Sequence, residues 1–265
     1  MATVKEIFEK LDGWAPFRTQ MSFDNSGFLV GHENGEVTDV LVALDVTQDV
    51  VDEAVARGCQ LVVAHHPVIF EPVRALTDTN PTGRVLLTMA EKGIAAICAH
   101  TNLDAAQGGV NDCLAEKLGL TDTCLLEQDG VDEAGRPYGI GRVGEAHESG
   151  MAPADYADYV KKQLGAAGVR FVDAGKPVRK VAVGGGSCGS MMGLAIKAGC
   201  DTFVTGDVKY NMFLDAKDLG LNLMDAGHYA TENVVCPTIA DFLAAEFPEV
   251  RVSISKNHAE VYQQA

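Results

Sequence analysis

The sequence predicts an α/β protein built from two similar α/β domains with mostly parallel sheets. Short apolar runs alternate with helical stretches through both halves of the chain, the pattern of parallel strands joined by helical crossovers. The stretch Ala56-Arg57-Gly58-Cys59-Gln60-Leu61-Val62-Val63-Ala64 is echoed by Lys197-Ala198-Gly199-Cys200-Asp201-Thr202-Phe203-Val204-Thr205. Downstream, a strand ending in His100-x-x-x-Asp104 parallels one ending in His228-x-x-x-Glu232. A duplicated α/β unit is the simplest account; the alternative is that any two α/β units share such patterning.

Element by element, Thr3 to Leu11 reads as a helix, with Val4, Ile7, Phe8 and Leu11 on one face. A loop, Phe23-Asp24-Asn25-Ser26-Gly27, leads into Phe28-Leu29-Val30-Gly31. Val40 to Leu44 is an apolar run fit for a buried strand. Thr47 then caps a helix that runs to Arg57 and stops at Gly58. Leu61 to Ala64 is the next strand and ends at His65-His66-Pro67. Pro81 to Lys92 is a helix stopped by Gly93, Ile94 to Ala99 a strand, and Val110 to Leu118 a helix. From about Glu127 to Lys176 the texture changes to glycine-rich, with a helix near Ala154 to Leu164, which marks the start of a second domain. The alternation resumes with strands at Val178 to Val183, Thr202 to Thr205 and Leu221 to Asp225, and helices at Gly193 to Ala198 and Met212 to Lys217.

Composition narrows the class. At 265 residues and 47% apolar content the chain can bury a substantial core. No apolar run approaches the roughly 20 residues of a membrane helix, and the acidic residues in MATVKEIFEKLDGWAPF do not suit a signal peptide. A cytoplasmic protein is expected. A formal charge of −16, spread along the chain, repels phosphate backbones and argues against nucleic-acid binding. It leaves room for a small anionic ligand at a metal centre. The seven cysteines are irregularly spaced and include no C-x-x-C, so neither a disulfide framework nor a thiolate zinc site is expected.

Four of the seven histidines, His65, His66, His100 and His228, fall at the ends of expected strands, where α/β sheets bind ligands. His32, His147 and His258 lie in polar or loop contexts and read as solvent-exposed. Imidazoles and carboxylates together are the usual ligands of Zn, Mn, Fe or Ni. His65 and His66 are adjacent at a strand end, where Pro67 turns the backbone and lets two rings reach two ions. His228 and Glu232 are four apart and share a helix face if a helix starts after Gly227; Glu232 could bridge two ions. Asp104 follows a strand end. Each signal alone also describes ordinary core or surface residues. Together, His65, His66, Asp104, His228 and Glu232 point to a two-metal site. His100 is either a further ligand or a residue that orients one or shuttles a proton.

A rival motif is Gly184-Gly185-Gly186-Ser187-Cys188-Gly189, which fits G-x-G-x-x-G, with Asp207 at the end of the next strand where a ribose-binding acid is expected. It predicts a dinucleotide enzyme but leaves the histidine-carboxylate set unexplained. A glycine-rich turn also serves close packing or a single phosphate.

The chain resembles the Nif-three-like dinuclear metal-centre proteins, many of them labelled GTP cyclohydrolase I type 2 homologues. The matching stretches are DNSGFLVG (24–31), VVAHHPVIF (62–70), AHTNLDAAQGGVND (99–112), GGGSCG (184–189), TGDVKYN (205–211) and DAGHYATE (225–232). The family's metal ligands fall on the same five residues. The resemblance implies a first domain of 1–126 completed by 237–265, a second of 127–236, a metal site in the cleft between them, and a toroidal homohexamer. Some members carry an additional inserted domain, for which this chain is too short. Members often have His after the Lys-Tyr pair, where this chain has Asn211.

These readings imply a hydrolase using two divalent ions (Zn, Mn, Fe or Ni) that acidify a water, with Glu232 and His100 as catalytic residues. On a GTP-like substrate, that water would open the purine ring at C8 with loss of formate. Asp24, Asn25, Gly186, Asp207, Lys209 and Tyr210 are the candidate substrate contacts, with the glycine turn and Lys209 suited to phosphate. The alternative is a non-catalytic, metal-binding ring that assembles with or regulates a partner.

Overall fold

A computed structural model describes residues 2–264. The chain falls into two compact units, Met1–Leu103 with Cys236–Ala259, and Asp104–Val235 with Glu260–Ala265.

The first unit is built on a five-stranded sheet. Its strands, in order across the sheet, are Arg251–Ile254, Asp39–Ala43, Leu61–Ala64, Ala95–Cys98 and Gly27–Val30. All pair in parallel except the last, which runs antiparallel at the edge. Helices with matched end signals make the crossovers. Thr47 caps the helix Gln48–Arg57 by accepting a hydrogen bond from Val50 N, and Asn80 caps Pro81–Lys92 by accepting from Gly83 N. Both helices stop at a left-handed glycine, Gly58 and Gly93, as their sequences require. Their apolar faces (Val50, Val51, Ala54; Val85, Met89) pack on Leu41, Ala43, Val62, Ala64, Ala96 and Cys98. The alternate strand residues Val40, Val42, Leu61, Val63 and Ile97 are buried as well. Each such aliphatic side chain contributes roughly 1.5–3 kcal/mol of transfer free energy. The helix Val4–Trp14 opens with a reciprocal cap between Thr3 and Glu6. It lies beside Val235–Glu246, with Trp14 on Phe242 and Lys10 paired to Glu246 at 2.7 Å.

The second unit carries a six-stranded sheet in the order Arg170–Val172, Asn222–Asp225, Thr202–Thr205, Lys180–Val183, Arg142–Glu145 and Thr121–Leu125. Its three central strands are parallel and the others are added antiparallel. Both faces are covered, as parallel strands demand. Val181, Val183, Val204 and Met224 pack with Leu114, Tyr156 and Val160 on one side. Ala182, Phe203 and Leu223 pack with Ala195 and Ala216 on the other. The expected α/β architecture with mostly parallel sheets is thus present, with antiparallel pairings flanking the parallel strands. Residues 104–126, grouped with the first domain in the sequence reading, belong to the second unit because Thr121–Leu125 pairs with Arg142–Glu145.

The sequence echo between the halves is an echo in structure. Gly58 and Gly199 both turn left-handed, with φ of 70° and 77°. Cys59 N and Cys200 N then donate back to Ala54 O and Ala195 O. Gln60 Oε1 accepts from the backbone of Thr38 and Asp39, and the Asp201 carboxylate accepts from that of Arg179 and Lys180. One corner, closed by an amide in one unit and a carboxylate in the other, fixes the start of a strand in each.

Among the described residues no helix is long and apolar enough to cross a membrane, and none of the cysteines is in a disulfide. Cys124 is exposed and Cys113 and Cys188 are partly so; the other four are buried.

Candidate metal centre

In the first unit the chain leaves the strand Leu61–Ala64 still tied to its neighbour: His65 N donates to Ala43 O and His66 N to Leu44 O (2.8 Å). This holds both rings at the carboxyl end of the sheet. His65 is buried, and its Nδ1–H donates to Ala99 O at 2.8 Å. A carbonyl can only accept, so Nδ1 carries the proton and Nε2 the lone pair. His66 Nδ1–H donates to Asp45 Oδ1 (2.7 Å), and His100 Nδ1–H to Asp24 Oδ1 (2.8 Å). The three imidazole rings cluster with centroids 5.0 to 5.5 Å apart. His65, His66 and His100 each offer a ligand atom, all within 4.8 Å of one another. His100 therefore stands inside the ligand-capable cluster of this unit.

Asp24 organises this half. Its side chain is fully buried and accepts from His100, Ser26 Oγ, the Thr101 hydroxyl and N–H, and Asn25 N. Burial alone pushes a carboxyl upward; the hydrogen bonds from His100, Thr101 and Ser26 outweigh it and hold Asp24 well below its ordinary range. Asn25 Nδ2 donates to Ile69 O at 2.6 Å, tying this loop to the one that follows His66. Asp24 and Asn25, expected among the substrate contacts, are thus engaged in holding these loops and His100.

In the second unit, His228 and Glu232 lie on the short helix His228–Glu232, which begins after Gly227 (φ 89°). Their spacing brings His228 Nε2 to 2.9 Å from Glu232 Oε2. Behind His228, its Nδ1–H donates to Asp207 Oδ2 at 2.7 Å. Asp207 itself has a positive φ of 51°, a strained setting for a non-glycine residue. Asp104 is buried at the end of the short helix Thr101–Ala105, and its carbonyl accepts from Asn111 Nδ2 (2.9 Å).

The glycine turn forms a wall of this half. Gly186 has φ 63°, and a Cβ there would meet the Glu232 carboxylate and approach the His228 ring. Its N–H donates to Thr231 Oγ1 and that of Gly185 to Asn111 Oδ1, both at 3.0 Å. The next segment begins as a 3-10 turn, Gly189–Met191, rather than an α-helix. A dinucleotide site would need those N–H groups for the pyrophosphate and Asp207 for the ribose. Here the N–H groups satisfy buried side chains, and Asp207 orients His228. Lys209 precedes the helix Tyr210–Leu219, and both Lys209 and Tyr210 are exposed.

Sequence reasoning missed Asp45 and the supporting pair Asn111 and Thr231. Asp45 had a signal available: like His65, it lies just past the carboxyl end of a strand, Asp39–Ala43. His258, read as exposed, is half-buried, and its Nδ1 accepts from Leu44 N at 3.1 Å.

Comparison with known proteins gives a consistent result. A family model described as Duf34/NIF3 (NGG1p interacting factor 3) matches residues 2–260. A protein of Clostridium perfringens named "GTP cyclohydrolase 1 type 2 homolog" is 34% identical over 230 residues, covering 86% of each chain. One of the same name from Streptomyces coelicolor is 35% identical over 268 residues, covering 97% of this chain and 92% of the relative. Among solved structures, a Bacillus cereus protein related to NIF3 superimposes with a TM-score of 0.94 at 26% identity, covering 100% of this chain and 99% of the other.

Proposed function

Since the chain belongs to the Duf34/NIF3 family, we propose that it is a two-metal hydrolase acting on a nucleotide-like small molecule. His65, His66, Asp104, His228 and Glu232 would hold two divalent ions, with His100 as their catalytic neighbour. The observation that carries this reading is one device used four times. His65, His66, His100 and His228 each have Nδ1–H fixed on an oxygen, three of them a carboxylate; this turns the Nε2 lone pair of the first three outward and sets Nε2 of His228 against Glu232 Oε2. Histidines that ligate metals are oriented in this way. Imidazole nitrogen and carboxylate oxygen suit Zn, Mn, Fe or Ni.

Such ions, when bound, supply the Lewis acidity that makes water a competent nucleophile near neutral pH. The remaining work falls to the chain. Gly186 leaves the volume that the Glu232 carboxylate fills, and Asp207 fixes the ring of His228. His100 exchanges a proton at Nε2 while buried Asp24 holds its other nitrogen and balances the charge. The relatives' name makes GTP the first substrate to test, with formate as the product of ring opening. Lys209 and Tyr210 are exposed and remain candidates to meet substrate. The proposal includes a cytoplasmic location and a homohexameric ring.

The test is metal content per chain in the wild type and in His65→Ala and His228→Ala, followed by formate release from GTP. Both variants should lose metal. Glu232→Gln should abolish turnover and leave the native mass unchanged. A wild-type chain that takes up no ion after reconstitution with Zn, Mn or Fe would sink the proposal.

A further inference from the structure

Two of the largest exposed apolar side chains stand beside the histidine cluster of the first unit. Phe23 is 63% and Phe70 45% exposed. Phenyl rings left in water forgo the transfer free energy that burial would give, so a paired set of them calls for an occupant. They come from separate loops but meet each other, with centroids 6.5 Å apart and planes at 67°. Phe70 also meets the His100 ring edge to face, at 6.0 Å and 87°. Ring contacts therefore run without interruption from Phe23 through Phe70 to His100 and on to His66 and the buried His65.

This surface is held in place. Phe23 is followed by Asp24 and Asn25, the residues that fix His100 and tie the loop to Ile69 O. Ile69 immediately precedes Phe70, so a single hydrogen bond sets the two aromatic loops against each other. Hydrogen bonds that orient a histidine thus also set the phenyl pair. Preorganised rings of this kind bind flat, π-rich ligands by stacking, with little ordering cost.

We propose that Phe23 and Phe70 form an angled aromatic platform that seats the flat heteroaromatic ring of the substrate, stacked on one phenyl and edge-on to the other, with one ring edge toward His100. The inference rests on the hydrolytic reading above and adds to it the residues that seat the substrate's ring. Phe70 brings this pair to 6.0 Å from the His100 ring, centroid to centroid. The sugar or phosphate of the same molecule would make no use of these two side chains.

Calorimetry on metal-loaded protein tests this with guanosine 5′-monophosphate and neopterin as flat-ring probes and ribose 5-phosphate as the ringless control. The wild type should bind at least one flat-ring probe more tightly than ribose 5-phosphate. Phe23→Ala and Phe70→Ala should weaken that binding about five- to a hundredfold, the range of single stacking contacts. Phe23→Trp should keep it, and binding of ribose 5-phosphate should not change. Metal content measured on the same samples separates the two readings. Missing metal with intact ring binding counts against the hydrolase alone. Overturning the platform takes any one of three results: no flat-ring probe bound, alanine variants that bind as the wild type does, or alanine variants whose only change is native mass. The last would mark the patch as a contact between copies.

Discussion

Gly186 and Glu232 compete for one volume: a Cβ on residue 186 would stand 2.0 Å from Glu232 Oε1. The left-handed φ of 63° at the same residue adds a second demand for glycine. Gly186→Ala is therefore expected to displace the carboxylate and lower metal content. Its backbone strain alone should cost about 1–2 kcal/mol of stability. Metal analysis together with urea unfolding checks both effects, and a variant matching the wild type in both would remove Gly186 from the site.

Asp45 and Asp207 hold His66 and His228 through their Nδ1 nitrogens at 2.7 Å. Asp45→Ala and Asp207→Ala should each weaken metal affinity about 10- to 100-fold without removing a ligand. Competition with a chromogenic chelator measures this. Unchanged affinity in both variants would mean that ring orientation contributes nothing to binding.

Asp24→Ala strands several donors at once: the Asn25 and Thr101 N–H groups, Ser26 Oγ and His100 Nδ1. At about 1–3 kcal/mol for each buried donor left unsatisfied, the melting temperature should fall sharply. The carboxyl is held below its ordinary value of 3.8, so its contribution is fully present above that pH. It is lost as pH falls below 3.8 toward the folded-state value. Acid unfolding of Asp24→Asn, which lacks this titration, should be less steep than that of the wild type below pH 3.8.

His258 behaves in the opposite chemical sense. Burial lowers it from its ordinary 6.5, while Asp45 and Glu53 pull it upward, and Leu44 N–H needs its Nδ1 unprotonated. The unfolded chain therefore binds more protons than the folded one. The stability that His258 contributes is complete above pH 6.5 and declines as pH falls below it. Melting temperatures at pH 7.5 and 5.5 should differ less in His258→Gln than in the wild type. An equal difference in the two proteins would show that the residue does not titrate in this way.

Much of this was legible in the sequence where the signal is local. Gly58 and Gly93 end helices because only glycine takes the left-handed turn cheaply. Thr47 caps because its hydroxyl reaches Val50 N, and the runs Leu61–Ala64 and Lys180–Val183 carry unbroken apolar stretches because both faces of those strands are buried. The strands Thr121–Leu125, Arg170–Val172 and Arg251–Ile254 were not legible. They lie at sheet edges, are short, and mix polar with apolar residues, since one flank faces no neighbour. Among the candidate site residues, the histidines announced themselves by following strands. Their oxygen partners did not: Asp45 is 21 residues from His66 and Asp24 is 76 from His100. A hydrogen bond made across such a separation leaves no periodicity to read. Asp207 drew attention for a ribose, whereas its carboxylate faces a histidine.

The pinning of each imidazole from behind has a consequence for how the proposed ions would be chosen. A flexible chain gathers its ligands around whatever cation arrives, and the cation dictates the arrangement. Here the search through ring rotations ends when the backbone folds, and the seats in each unit are set beforehand. In the proposed centre, selection would become a question of which ion suits seats of fixed spacing, and an ion that departs would leave them ready for the next.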